Sequence, residues 1–369
     1  MGLLHRYRQF EALTEEEVNA GKRAAAAERR AKELARVEPL DLARTTWPEV
    51  PPAVIVNAIT YVARRGLHRY TDRDSSALRG ELAARHGIPA SRIVVGDGAA
   101  ELLSAATQCL VDEPTDELIT PWPSYGLYPL MARRARAHPV PVPGFSVDAI
   151  LSAVTPRTRL VALCNPNDPT GELLRTGELR TLLHALPERV VVLIDEALRD
   201  YALAENVDDT LQLLDEHPRA LLFRTFSKAW GLAGLRVGYA VGAEGAQPLL
   251  ERLNPELGVD ELAQAGAMEA LRSHPAMPRQ RGVRLGELRT RLRDGLLELG
   301  YDVTASEANL LWVAADGVAG VQLADTLQRL GIVVAGGAPL GDPARVRMTV
   351  PHRADLVERT LRAAAVAHA

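Results

Sequence analysis

Two cysteines in 369 residues, Cys109 and Cys164, are too few for a disulfide framework. No Cys/His cluster has the spacing of a zinc site. No apolar run reaches the roughly 18 residues that read as a membrane span. A surplus of positive charge is missing too. The formal net charge is −4, which leaves no basic footprint for nucleic acid. The opening stretch MGLLHRYRQFEALTEEE lacks the apolar core of a signal peptide, so the expected location is the cytoplasm. Lysine is scarcest of all. Of 43 basic residues only three are lysines, Lys22, Lys32 and Lys228. Lys22 and Lys32 lie in a charged stretch, whereas Lys228 sits alone between apolar segments.

What is present suits a folded soluble chain. Hydrophobic residues make up 47% and charged residues 24%, which is enough apolar material for a large core. The length predicts about two domains. Thr14 to Glu17 reads as a capping box opening a helix to about Arg36. Further helices are expected over Ala53–Arg65 and Ser76–His86. From Arg92 to Val241 short apolar runs alternate with helical stretches. Strands are expected at Ile93–Val95, Glu117–Thr120, Ala137–Val142, Leu160–Cys164, Val190–Ile194, Ala220–Phe223 and Val237–Val241. Runs apolar on both faces predict an α/β fold, with a mostly parallel central sheet sandwiched by helices. The last third reads as a smaller α+β domain. It has helices over Glu261–Ser273, Pro278–Leu299 and Ala354–Ala367, and strands at Leu310–Ala314 and Val346–Val350.

Polar residues cluster just after the expected strands, where open α/β sheets bind ligands. Lys228 follows one strand among small and apolar residues. Desolvation there lowers a lysine pKa and frees the amine as a nucleophile. Thr225 and Ser227 add hydroxyls, and Arg236 adds a fork suited to phosphate. Asp195 and Glu196 end the strand Val190–Ile194, where a carboxylate can pair with a buried cation. Gly96-Asp97-Gly98-Ala99-Ala100-Glu101 opens a helix whose backbone amides suit a phosphate. Glu101 stands where a dinucleotide fingerprint has its third glycine. Asn165-Pro166-Asn167-Asp168-Pro169-Thr170-Gly171 is a rigid polar turn. Tyr125, in Pro121-Trp122-Pro123-Ser124-Tyr125, could stack on a planar ligand or pack in the core. Together these groups are what pyridoxal phosphate requires: a lysine, a carboxylate, a phosphate cradle and an aromatic platform.

At these residues the chain resembles the fold-type I, class I/II aminotransferases, and most closely their histidinol-phosphate branch. The resemblance rests on Ser227-Lys228 and Ala233-Gly234-Leu235-Arg236-Val237-Gly238, and runs from about Ala53 to the C-terminus. It implies the fold-type I transferase architecture with pyridoxal 5'-phosphate as cofactor. Lys228 would form the imine and move the proton, and Asp195 would pair with the pyridine N–H. Tyr125 would stack on the ring. Ala99, Ala100, Thr225, Ser227 and Arg236 would hold the phosphate, and Asp168 would border the cofactor. Tyr70 matches a tyrosine that reaches the neighbouring subunit, implying a homodimer with shared sites. Arg347 and Asn309 match substrate-side residues. The implied reaction moves an amino group from an amino acid or histidinol phosphate to a 2-oxo acid. The implied domains are a helical arm over 1–44, a large cofactor-binding domain over 45–255 and a small α+β domain over 256–369.

Two departures stand out. Asp168 replaces the family's asparagine before Pro-Thr-Gly, and Leu198 replaces a tyrosine two residues after Asp-Glu. Neither an ionised aspartate nor a leucine donates a hydrogen bond, so the imine is expected to hold its proton more tightly. Tyr201 could fill the gap. Leu42-Ala43-Arg44-Thr45-Thr46-Trp47-Pro48 also replaces the family's usual substrate-bordering segment. Within the fold, a decarboxylase or lyase and a non-catalytic binding relative stay open. A dinucleotide-binding dehydrogenase is disfavoured by Glu101.

Overall fold

The protein is described by a computed structural model covering residues 38–368, together with Lys22 and Arg29. Lys22 and Arg29 are helical; the rest of the helix expected over 14–36 lies outside the described residues. In chain order the strands and helices are as follows. A short β1 (Leu40–Asp41) precedes α1 (Ala53–Gly66) and α2 (Ser76–His86). Then come β2 (Ile93–Gly96), α3 (Ala99–Leu110), β3 (Glu117–Trp122), α4 (Leu127–Arg134) and β4 (His138–Pro143). Next are α5 (Val147–Ser152), β5 (Thr158–Cys164), α6 (Thr176–Ala185), β6 (Val191–Asp195), α7 (Leu211–Glu216), β7 (Ala220–Thr225) and β8 (Gly238–Val241). The remainder is α8 (Gln247–Leu253), α9 (Glu261–Ser273), α10 (Met277–Glu298), β9 (Asp302–Val303), β10 (Leu310–Ala314), α11 (Gly320–Arg329), β11 (Ile332–Val333), β12 (Ala335–Gly336), β13 (Arg345–Thr349) and α12 (Ala354–Ala367).

Seven strands form the large sheet in the order β2-β8-β7-β6-β5-β3-β4. Strands β3 to β7 run parallel, and β8 is antiparallel to both of its neighbours. The mostly parallel sheet expected from the sequence is therefore present. The antiparallel strand arises because the loop after Thr225 folds back, pairing Thr225 with Gly238.

Alternation explains the two-sided core. Val161, Leu163, Val192, Ile194 and Leu222 join one apolar layer with Ile55 of α1, Leu78 of α2, Leu182 of α6 and Ala267 of α9. Leu160, Ala162, Leu193, Leu221 and Phe223 face the other way, against Leu103 of α3, Met131 of α4 and Leu250 of α8. Both faces of the inner strands are covered, so their central residues are apolar. Polar side chains gather instead at the carboxyl ends of β5, β6 and β7.

A second, four-stranded antiparallel sheet has the order β12-β13-β10-β9. Its core joins Leu310 and Val346 to Leu292 of α10, Leu327 of α11 and Val357 of α12. The segment after β1 is bound to this sheet. The Thr349 amide donates to the Leu42 carbonyl at 2.9 Å, while β1 itself pairs in parallel with β11 as a separate two-stranded sheet, Leu40 opposite Ile332. No helix among the described residues is long and apolar enough to cross a membrane.

Candidate active site

A cavity of about 130 Å³ opens at the carboxyl ends of these strands. Ala99, Ala100, Tyr125, Asp168, Asp195, Thr225, Ser227, Lys228 and Arg236 all line it, with Cys164, Ala197 and Leu198. The sheet register brings them together. Cys164 at the end of β5 lies beside Asp195 at the end of β6, which lies beside Phe223 of β7. Lys228 follows three residues after β7 ends.

A local turn fixes Lys228. The Ser227 amide donates to Thr225 Oγ1 at 3.1 Å, and the Gly231 amide donates to the Lys228 carbonyl at 2.9 Å. Gly231 has φ of +73°, a conformation that glycine adopts without a steric penalty. Lys228 Nζ donates to Thr45 Oγ1, from a segment far away in the chain. Burial is the main influence on this amine and pulls its pKa below the usual lysine value. Asp168 and Asp195 oppose that shift, while Arg347 adds to it.

Asp195 is 5% exposed and has no ion-pair partner among the described residues. It accepts hydrogen bonds from Tyr128 Oη at 3.0 Å and from the Ala197 amide at 3.0 Å. Burial pushes its carboxyl up to about 6. A buried carboxylate lacking a cation favours an N–H donor or cation placed in the cavity.

The opposite end of the cavity suits an anion. Gly98, with φ of +95°, precedes α3, so the first amides of that helix face the cavity end. Arg236 adopts the left-handed conformation at φ of +53°, and its Nη1 donates to the Ala233 carbonyl at 3.2 Å. A Cβ at Gly98 would lie 2.6 Å from Arg236 Nη2, and one at Gly238 would lie 2.4 Å from the Ala99 amide nitrogen. Both glycines are therefore needed to let backbone and guanidinium converge.

Some expected residues lie elsewhere. Tyr70 is 90% exposed and does not line the cavity. Asn309 is buried and its amide donates to the Thr45 carbonyl at 3.0 Å, outside the cavity wall. Tyr201 is fully buried and, unlike Leu198, does not line the cavity. Arg347 is held by Asp168: its Nη1 donates to both carboxylate oxygens, at 2.8 and 2.9 Å. Tyr128 and Thr45 were not expected. Neither carries a local sequence signal, because each reaches its partner only through the fold.

Residues 34–363 match the family model described as aminotransferase class I and II. The chain belongs to this family. The family is pyridoxal-phosphate-dependent, and its members transfer amino groups between small-molecule amino and keto substrates. The enzyme is 35% identical over 324 residues to an aromatic amino acid aminotransferase of Nocardia farcinica, covering 85% of this chain and 88% of that protein. It is 36% identical over 313 residues to histidinol-phosphate aminotransferase 1 of Nitrosococcus oceani, covering 84% of each. Among solved structures it is similar in fold to histidinol-phosphate aminotransferase from Sinorhizobium meliloti in complex with pyridoxal-5'-phosphate. That likeness has a TM-score of 0.77 at 24% identity, over 92% of this chain and 93% of the other. N-succinyldiaminopimelate aminotransferase from Mycobacterium tuberculosis matches in fold with a TM-score of 0.78 at 24% identity, over 93% and 96%.

The residues present fit the family's cofactor. The cavity offers a partly desolvated amine, a buried carboxylate lacking a cation, and an anion cradle built of α3 and Arg236. Tyr125 forms part of the wall and packs edge-on against Tyr128, at 5.9 Å between ring centroids.

Proposed function

We propose that Lys228 is the centre of a transamination between a small amine and a keto compound, with the surrounding side chains in the following roles. Bound pyridoxal phosphate supplies an aldehyde and a ring that accepts charge from the carbon losing its proton. Lys228 presents its Nζ to that aldehyde and afterwards carries the proton at the same atom. Its lowered pKa leaves more of the amine free to attack. Asp195 keeps a proton on the ring nitrogen, and Tyr128 orients the carboxylate. Ala99, Ala100, Thr225, Ser227 and Arg236 bind the phosphate, while Tyr125 covers the ring. Asp168 borders the cofactor, and Arg347 and Asn309 stand on the substrate side.

We also propose a homodimer with shared sites. An exposed apolar face along α1 and the loop after it supports this reading. Val54 is 40% exposed, Tyr61 60%, Leu67 73% and Tyr70 90%. Large exposed apolar side chains grouped along one segment are a mark of interfaces. Tyr70 lies at the end of that face, where it would reach the neighbouring cavity. The two unpaired cysteines suit the reducing cytoplasm.

The observation that carries the reading is the convergence of Lys228, Asp195 and the Arg236–α3 cradle on one cavity. Borohydride reduction of cofactor-loaded protein should leave the cofactor covalently attached to the peptide containing Lys228. An unmodified peptide would reject the assignment. Addition of an amine should then convert the bound cofactor to its amine form, which separates transamination from decarboxylation or lyase chemistry.

A further inference from the structure

Arg347 enters the substrate side of the site already neutralised. It projects from β13, and Nη1 donates to both oxygens of Asp168 at 2.8 and 2.9 Å. Nη2 donates to the Ala43 carbonyl at 2.7 Å. Both members of the pair are nearly enclosed, with side chains 12% and 8% exposed. Asp168 lines the Lys228 cavity, and Arg347 is joined to that wall through this pair.

The turn that carries Asp168 is held on both sides. Asn167 donates through Nδ2 to the Pro123 carbonyl at 3.0 Å and to Thr170 Oγ1 at 2.9 Å, and accepts from Ser124 Oγ at 2.8 Å. The Gly171 amide closes the turn onto the Asn167 carbonyl at 2.7 Å. A Cβ at Gly171 would lie 2.1 Å from Ser306 Oγ, so the turn is also pressed against the small-sheet side. Swinging Asp168 away from Arg347 would separate a buried pair inside a fixed turn, which is costly.

Formal charge makes the same point. At Arg347 the only carboxylate partner among the described residues is Asp168, one negative charge against one positive. An uncharged residue at 168 would leave one positive charge over for an incoming anion. With aspartate there, no surplus is left. A carboxylate arriving beside Arg347 would also face the Asp168 carboxylate at short range, where like charges repel strongly.

Resting on the transamination reading above, we propose that Asp168 is a specificity-determining residue that fills the anion seat of Arg347 from within the chain. The enzyme then takes an amine whose amino-bearing carbon carries a neutral group, such as a hydroxymethyl, in place of a carboxylate or phosphate. The keto partner uses the same seat and obeys the same rule.

The test compares L-alaninol with L-alanine, which differ only in that group. Cofactor-loaded protein is titrated with each, and binding is read by calorimetry and by the absorbance of the bound cofactor. Alaninol should bind tighter by about tenfold or more, the scale of one charged contact. Equal or reversed affinities, or no response to either compound, overturn the proposal. In Asp168→Asn the affinity for alanine should rise by about tenfold or more. No rise overturns it. Should that variant fail to fold, Asp168→Ser serves in its place. Borohydride trapping on the same preparation separates the two levels. An untrapped Lys228 removes the transamination reading and this proposal with it. A trapped Lys228 with alanine preferred removes this proposal alone.

Discussion

Two consecutive carboxylates stand at the end of β6 and face opposite sides of the sheet. Glu196 accepts from Arg224 Nε at 2.8 Å and from Thr210 Oγ1 at 2.6 Å. Arg224 continues to Asp208 at 2.5 Å, and Asp208 pairs with His86 at 3.2 Å. Asp195 has a hydroxyl and an amide but no cation. The same residue class at adjacent positions therefore does two jobs. On one side the chain completes its own ionic network. On the other it leaves a charge unmatched beside the only interior lysine among the described residues. A buried group that the fold leaves unmatched is where a ligand is expected.

This contrast can be broken experimentally at its strongest point first. Lys228→Ala should lower turnover by about 10³-fold or more and abolish borohydride attachment of the cofactor. Stability should hold or rise, because a buried ammonium is removed; a denaturant titration beside the kinetic assay checks both halves. Glu196→Ala strikes the other side. It removes one of the two carboxylates that hold the buried Arg224, leaving Asp208, and should destabilise the protein by about 1–3 kcal/mol. The folded fraction should still capture cofactor at Lys228, and loss of capture at full stability would erase the distinction between the two sides.

The pH dependence sharpens the comparison further. Burial raises Asp195 from 3.8 to about 6, so the folded state binds its proton more tightly than the unfolded state does. That contribution is fully present below pH 4 and is lost as pH rises through 6. It amounts to about 3 kcal/mol. Cofactor-free Asp195→Asn should therefore lose less stability than the parent between pH 4 and 7, as measured by unfolding free energies across that range. Asp200, also pushed up to about 6 by burial, keeps a share of the slope. The smallest effect is expected for Tyr128→Phe. It removes one hydroxyl donor from Asp195, worth about 1 kcal/mol, and should lower turnover several-fold without affecting cofactor capture.

Much of this was legible in the residues. Two-sided apolar runs marked inner strands such as β5, β6 and β7, whose central residues are covered on both faces, whereas β4 at the sheet edge is largely exposed. Lys228 stood out because lysine is almost absent elsewhere, and Arg236 and Asp195 followed from charge at strand ends. What stayed hidden is non-local. Nothing near Thr45 signals that its hydroxyl meets an amine 183 positions away. Tyr128 is a fully buried aromatic on α4 whose hydroxyl alone reaches Asp195. Arg347 and Asp168 were each identified alone, as substrate and cofactor residues. Their pairing emerges only when β13 is placed against the turn after β5. The two-residue strands β1, β11 and β12 are too short for any periodicity to show.

The stretch from Leu42 to Thr45 is stitched to the small sheet at every step. Thr349 donates to the carbonyls of Leu42 and Arg44, Arg347 to that of Ala43, and Asn309 to that of Thr45. Its last residue meanwhile clasps the lysine amine from the far bank of the cavity. The hydroxyl that meets Nζ is thus anchored to the small sheet rather than to the large one that carries the lysine, so the cavity draws a wall contact from both halves of the chain.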